Sequence, residues 1–313
     1  MSAQEYKNII IAGPSGSLGG PLLQGLLSEP TFTVTGLVRA SSKAIPQLRS
    51  LPNLRLITID DNYPKEDLVK AFQGQDVVVS ALTSTGALEE FRFIDASIEA
   101  GVKRFVASEY GLNYSYPKAQ ALNSVFADKG KVREYLRSKE ETGLTWHSVN
   151  CGVWIAWGMQ HKFFGLQPGE KKLIMWDDGK GLFSSTRMEN TIKAVVNSLL
   201  LPPEKTANRP LYIHDFVATQ AELLATIEKV SGEKWAVERV NTDAVIRDAN
   251  QRLADGDTTA LWDLINTGFA SGRYGGNLTE WGPLDNELLD LQPANLEDVV
   301  REGLERFKST GYL

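Results

Sequence analysis

The chain has 313 residues, 42% hydrophobic and 23% charged, with a formal net charge of -6 at pH 7. Such a composition is that of a globular protein, long enough for one α/β domain plus a smaller attachment, and its acidity argues against a nucleic-acid partner, which needs a basic patch. A single cysteine, Cys151, leaves no internal disulfide framework and fits a reducing, cytoplasmic setting; neither a signal-peptide core nor an apolar run of about 18 residues predicts export or a membrane span.

Residues 8–12 read as a first strand that runs into Gly13-Pro14-Ser15-Gly16-Ser17-Leu18-Gly19. Three glycines spaced G-x-x-G-x-x-G between a strand and a helix predict a dinucleotide-binding turn. Glycine lets backbone approach a pyrophosphate, and the free N–H groups and dipole of the helix hold its charge. The spacing departs from the commoner G-x-G-x-x-G. Gly13, Ser15, Gly16, Ser17, Leu18 and Gly19 are therefore cofactor-binding candidates.

Gly20 to Leu27 reads as the first helix and Phe32 to Val38 as the second strand, followed directly by Arg39. An acidic residue at that strand end would accept the ribose hydroxyls of NAD; an arginine pairs with the 2′-phosphate of NADP. Lys43 adds a second positive charge. Leu54 to Ile59 is a third strand, after which Asp60 and Asp61 either touch the adenine or cap the helix beyond Pro64. Lys65 to Phe72 is a helix, Asp76 to Leu82 a buried parallel strand. Thr83 and Ser84, in the small hydroxylated loop that follows, are further cofactor candidates, with an ordinary loop and N-cap as the plain alternative.

Glu89 to Ala100 is helical, Arg104 to Ala107 a fifth strand, Lys129 to Lys139 a charged helix and Thr145 to Val149 a sixth strand. Strict alternation predicts a Rossmann-type doubly wound parallel sheet, with its crevice at the carboxyl ends of the strands. Asn150, where the sixth strand ends, is also carried as a cofactor candidate. The expected organisation is an NADP-binding domain over 1–152, with returns near 188–215 and 295–310, and a mainly substrate-binding α/β region over 153–313. In that second part an aromatic stretch runs from Gly152 to Gly165; strands are expected at 173–176, 211–213 and 237–240, and helices at 188–200, 220–230, 242–254 and 296–307. The scattered His147, His161 and His214 predict no metal site.

Two lysines compete for a chemical role. Tyr114 and Lys118 match Y-x-x-x-K, but Pro117 inside the span breaks the one-face helical geometry such a pair needs. Lys129 opens a helix after the fifth strand, from where its side chain reaches the crevice, although a lysine in a first helical turn is ordinarily solvated.

Taken together, the glycine loop, Leu37-Val38-Arg39, the run Gly74 to Ser80, the string Ala100 to Gly111 (AGVKRFVASEYG), Lys129-Gly130-Lys131-Val132-Arg133, and the segments Thr219 to Leu223 and Gly232 to Trp235 resemble the isoflavone reductase-like branch of the NmrA-like atypical short-chain dehydrogenases, fungal members especially. The resemblance implies NADPH as cofactor. It implies Lys129 as the catalytic lysine, at the first position of its helix motif, and Trp154, Trp157 and Phe164 as lining for a small aromatic substrate. Ala107 departs from the proline common in plant members. The expected activity is an NADPH-dependent reduction of an aromatic or conjugated secondary metabolite by a monomer or homodimer. A redox-sensing regulator that binds the dinucleotide without turnover is the alternative, and redox-neutral cyclisation or isomerisation a third.

Overall fold

The computed structural model describes residues 6–313, which divide into two compact units. The first unit takes the chain up to Glu109, then Asp128–Val149 and Ile192–Leu211. Its elements alternate: β1 (Asn8–Ala12), α1 (Gly19–Ser28), β2 (Thr33–Arg39), α2 (Ile45–Arg49), β3 (Leu54–Ile59), α3 (Lys65–Phe72), β4 (Val77–Ser80), α4 (Glu90–Glu99), β5 (Arg104–Ala107). A short helix α5 (Pro117–Gln120) precedes α6 (Ser124–Ser138), whose last part returns to this unit before β6 (Thr145–Asn150).

The pairings of β1 with β2 and β4, of β2 with β3, and of β5 with β4 and β6 are all parallel. Such strands are covered on both faces, so they read as unbroken apolar runs: Val77, Val78 and Val79 are all fully buried, as are Ile9, Ile10 and Ile11. Phe72, Phe93, Phe105 and Trp146 fill the core on one side of the sheet. The seven-stranded order is β10-β6-β5-β4-β1-β2-β3, with β10 at Arg209–Tyr212. The chain runs outward from β1 to β3 and then crosses back to lay β4 against β1. That reversal opens a crevice beyond the carboxyl ends of β1 and β4, where Ala12 stands beside Ser80.

The second unit takes Tyr110–Ala127, Asn150–Thr191 and Tyr212–Leu313. It contains α7 (Ile155–Gln160), β7 (Leu166–Gln167), β8 (Lys172–Trp176) and β9 (Leu182–Ser185), and α8 (Met188–Leu200) begins in it. After β10 come β11 (Phe216–Thr219), α9 (Gln220–Ser231), β12 (Ala236–Val240), α10 (Thr242–Ala254), α11 (Ala260–Ala270) and α12 (Leu296–Thr310). Two small sheets form here, β11-β9 and β12-β8-β7. Phe126, Phe164, Phe183, Leu223, Leu264 and Val300 share its core. The Thr219 hydroxyl and the Glu222 carboxylate make a capping box that starts α9.

Two boundaries differ from the sequence reading in ways that matter for function. Arg39 is the last residue of β2 rather than the residue after it. Lys129 does not open its helix: α6 starts at Ser124, where Asn123 Oδ1 accepts the Phe126 N–H at 2.9 Å, so Lys129 lies in the second turn.

Candidate functional site

The glycine loop closes one wall of a cavity of about 410 Å³. Gly13, Ser15 and Gly16 line it from the β1–α1 turn, Leu37 and Arg39 from the end of β2, Ala81 and Thr83 from the end of β4. The loop holds its own shape: Gly16 N donates to Gly13 O at 3.2 Å and Gly20 N to Gly16 O at 2.8 Å. Gly13 has φ +80°, and a Cβ on it would lie 2.6 Å from Ala81 O; a Cβ on Gly19 would lie 1.9 Å from Gly13 O. Packing alone demands both glycines. Gly16 is different. It is exposed, and a Cβ on it would meet nothing closer than Gly13 O at 3.6 Å. Nothing inside the protein requires a glycine there, and the bare backbone leaves the loop open on the cavity side. No side chain caps the start of α1 and no acidic residue stands in its first turn, so its dipole is left for an anion. The residues present fit a dinucleotide phosphate.

Arg39 and Asp61 face the same cavity. Asp61 neither caps α3 nor stands clear of the loop. It accepts the Ser41 N–H at 3.0 Å and also the Ser41 hydroxyl, and these bonds, aided by Arg39, hold its carboxyl below the usual range. Asp61 thereby ties down the turn that carries Arg39. Asp60 makes a local turn, accepting the Asn62 N–H at 2.9 Å. Thr83 lines the cavity. Ser17, Leu18 and Gly19 form the approach to α1 behind it. Ser84 starts the 3-10 turn after Thr83, and Lys43 is exposed beyond the Arg39 turn. Tyr63 and Glu89 also line the cavity, and sequence reasoning named neither.

A second constellation lies at the end of β5. Lys129 is 6% exposed, and its Nζ donates to Ser108 O and to Glu109 O, the latter at 3.2 Å. A lysine is almost never buried unless paired or held. Four residues on, on the same face of α6, Arg133 is buried and makes a bidentate pair with the buried Glu109 carboxylate. Residues 108–109 thus engage Lys129 through carbonyls and Arg133 through a carboxylate. Glu90, at the first position of α4, completes the group. It is 2% exposed, accepts the Ser108 N–H at 2.9 Å through Oε1 and hydrogen-bonds the Ser80 side chain. Burial, opposed by those bonds and by Lys129, pushes its carboxyl up to about 7. Glu90 carried no signal in the sequence: its neighbour Glu89 has the same side chain and is half-buried.

Tyr114 and Lys118 do not share a helix. Pro117 starts α5 after Tyr114, and Tyr114 packs its ring against Phe126 at 5.3 Å. In the second unit, Trp154 and Trp157 meet edge-on at 6.3 Å, and the Trp154 indole donates to Thr191 Oγ1 at 2.9 Å. Trp157 stacks on His161 at 4.0 Å. Both tryptophans are half-buried, but Phe164 is fully buried, its ring 4.6 Å from Phe183. Phe164 is a core residue, so its reading as a pocket wall gives way. Asn150 is also fully buried and donates to Leu112 O, bracing the second unit from within. Among the described residues no cluster of three or more His, Cys, Asp or Glu side chains is arranged to hold a metal, and no helix is long and apolar enough to cross a membrane.

The chain is similar to known proteins. An oxidoreductase of Aspergillus flavus, aprR, is 33% identical over 294 residues, spanning 93% of this chain and 97% of the relative. The isoflavone reductase homolog IRL of Zea mays is 29% identical over 260 residues, 78% of this chain and 81% of its own length. Among solved structures, AtPrR2 with NADP+ and (+)pinoresinol has a TM-score of 0.76 at 21% identity, covering 95% of this chain and 98% of its own. The crystal structure of an isoflavone reductase gives 0.77 at 21%, covering 96% and 99%. At those identities the solved structures speak for a shared fold. The model of the NmrA-like family matches residues 5–255, which is most of the chain, and the chain belongs to that family.

Proposed function

We propose that this NADPH-dependent oxidoreductase reduces a small aromatic or conjugated compound, with Lys129 as the general acid that protonates the developing oxyanion. The observation that carries the reading is the burial of Lys129 at the carboxyl end of β5, held by two main-chain carbonyls. A lysine needed only for solubility would point to water.

Reduction of a carbonyl or enone adds a hydride and a proton. NADPH, when bound, supplies the hydride. The chain supplies the rest. Gly13, Ser15, Gly16 and Arg39 line one cavity, where the three loop residues would present backbone to the pyrophosphate and the Arg39 guanidinium would pair with the 2′-phosphate. Lys129 Nζ gives its proton to the substrate oxygen as charge builds there, and the Ser108 and Glu109 carbonyls fix the ammonium in one place for that transfer. Trp154 and Trp157 offer aromatic surface for stacking an electron-poor ring. The aprR relative, named as an oxidoreductase, and AtPrR2, solved with NADP+ and an aromatic ligand, support the reaction class and the cofactor.

Lys129→Ala tests the assignment. NADPH oxidation is followed against a panel of aromatic enones and carbonyls, alongside a fluorescence titration of NADPH. We expect a loss of turnover of about a hundredfold or more with cofactor affinity little changed. Unchanged turnover rejects the role. No oxidation by the wild type across the panel, with NADP+ and NADPH bound equally, replaces the enzyme by a sensor.

A further inference from the structure

Among the described residues, the ends of β4 and β5 are joined by a carboxylate that the proposed chemistry does not use. Glu90 reaches from the start of α4 to the Ser80 side chain at the end of β4 and to the Ser108 N–H just after β5. The carbonyl of that same Ser108 accepts from Lys129 Nζ. One residue of main chain therefore separates a buried carboxylate from a buried ammonium, with the carboxylate on its N–H and the ammonium on its C=O. Ser108 Oγ is turned away, donating to Leu82 O at 3.0 Å.

The surrounding charges are few. From α6, Lys129 favours the ionised form of Glu90; from the end of β5, Glu109 opposes it, although Glu109 is itself paired with Arg133. At the start of α4, Glu89 just before the helix and Arg92 in its first turn pair with each other at 3.5 Å. The helix α3, packed along α4, sends Lys65 to Glu99 at the far end of α4 at 2.8 Å, and Tyr135 of α6 donates to Asp95 at 2.6 Å. What faces Glu90 across the buried space is Lys129, without bulk water to screen it.

We propose that Glu90 is a positioning residue for Lys129: it fixes the Ser108 main chain that holds the ammonium and sets the pH at which Lys129 yields its proton. The inference rests on the reading of Lys129 as general acid for its meaning in catalysis, but the coupling itself is a property of the free protein. An ionised Glu90 favours a charged Lys129. A protonated Glu90 leaves the ammonium less compensated and readier to give its proton away. The two titrate as a pair, and the acid strength of Lys129 follows the state of Glu90.

Glu90→Gln is the discriminating variant, because glutamine keeps an acceptor for the Ser108 N–H and removes only the charge. Two readouts are needed. The first is the NMR titration of lysine 15Nζ in the cofactor-free protein, with Lys129 identified by the signal lost in Lys129→Arg. The second is the pH profile of kcat/KM. In Glu90→Gln the Lys129 resonance should titrate about one pH unit lower or more, and the alkaline limb of kcat/KM should move with it by the same amount. A purely structural Glu90 would leave both where they were, and that result overturns the proposal. Should Glu90→Gln fail to fold, the wild type decides alone: the Lys129 signal must inflect where the 13C-labelled Glu90 carboxyl titrates, and a Lys129 signal blind to that transition rejects the coupling. If Lys129→Ala keeps full turnover, the catalytic reading falls, and the Nζ titration still settles whether Glu90 governs Lys129.

Discussion

Three glycines within seven residues do three different jobs, and only geometry separates them. Gly13 is held by a left-handed backbone and by Ala81 O, Gly19 by the close approach of Gly13 O, and Gly16 by nothing in the protein. The consequences of adding one methyl group therefore diverge. Gly19→Ala forces backbone apart at the strand–helix junction and should lower stability by about 1–3 kcal/mol, seen as an earlier urea midpoint. Gly16→Ala should unfold like the wild type, within about 0.5 kcal/mol, yet bind NADPH about tenfold more weakly if the loop holds the phosphate as proposed. Urea unfolding and a fluorescence titration on the two variants check both halves; a Gly16→Ala protein that binds NADPH normally would remove the loop from the cofactor site. The spacing of the motif was legible from the sequence, but this division of labour was not, since it depends on which carbonyl lies across from each Cα.

At the level of elements, what could be read followed from how sharply each segment contrasts with its flanks. The parallel strands β1, β4 and β5 were legible because burial on both faces makes them short apolar runs between turns, whereas β3 at the sheet edge is partly exposed and showed as β-branched and leucine residues interrupted by Arg55 and Thr58. Helix α6 was read five residues late. Its first turn, Ser124 to Ala127, carries no charge, so the first lysine looked like a beginning. Lys129 and Arg133 lie four residues apart on one inward face, Lys129 donating to the Ser108 and Glu109 carbonyls and Arg133 to the Glu109 carboxylate. Helix α11 escaped notice because Leu264, Ile265, Gly268, Phe269 and Ala270 are all buried, which leaves little polar contrast to show a period. The four-residue strands β9 and β11 are too short to show a period, and half of β9 is serine. Of the candidate site, Arg39 and Lys129 were proposed from the strands that precede them, although Arg39 closes β2 itself; the Glu90–Ser80–Ser108 link could not be, because its partners are far apart in sequence. The Y-x-x-x-K spacing yields a further test of element over motif. With Pro117 dividing Tyr114 from Lys118, Tyr114→Phe and Lys118→Ala should each keep turnover within about twofold, and Tyr114→Phe should cost about 1 kcal/mol at most for its hydroxyl. Steady-state rates on both variants decide it, and a loss of activity matching that of Lys129→Ala would bring the pair back.

For the whole molecule, two buried groups set opposing slopes of stability against pH. Glu90 is raised from 4.5 to about 7 by burial, so between those values the folded state holds a proton that the unfolded state has released. Its contribution is complete below pH 4.5 and is lost as pH rises through about 7, a change on the order of 3 kcal/mol. Glu302, raised by burial on α12, acts in the same sense. His147 works the other way. Arg104 Nη1 can only donate, so His147 Nδ1 accepts at 2.9 Å, and the neutral ring passes its remaining proton from Nε2 to Ser198 Oγ at 2.9 Å. Burial and the nearby Arg104 and Arg209 charges hold its pKa well below 6.5. Below pH 6.5 the unfolded chain gains a proton that the folded ring refuses, and stability falls as pH falls, by about 1.4 kcal/mol per unit. His214, lowered by burial, adds to that side. Asp76, Asp177, Glu228 and Glu297 are all lowered and release their effects below their ordinary values, outside this window. The wild type should therefore show a shallow plateau of unfolding free energy between about pH 4.5 and 6.5, where the two slopes oppose. Glu90→Gln should uncover the histidine slope, rising from pH 5 to 6.5, and should exceed the wild type at pH 8 by about 3 kcal/mol while coming within about 1 kcal/mol of it at pH 5. Urea unfolding of both proteins at pH 5, 6, 7 and 8 measures the curves. If the two run parallel across that range, Glu90 does not bury a charge that folding must accommodate.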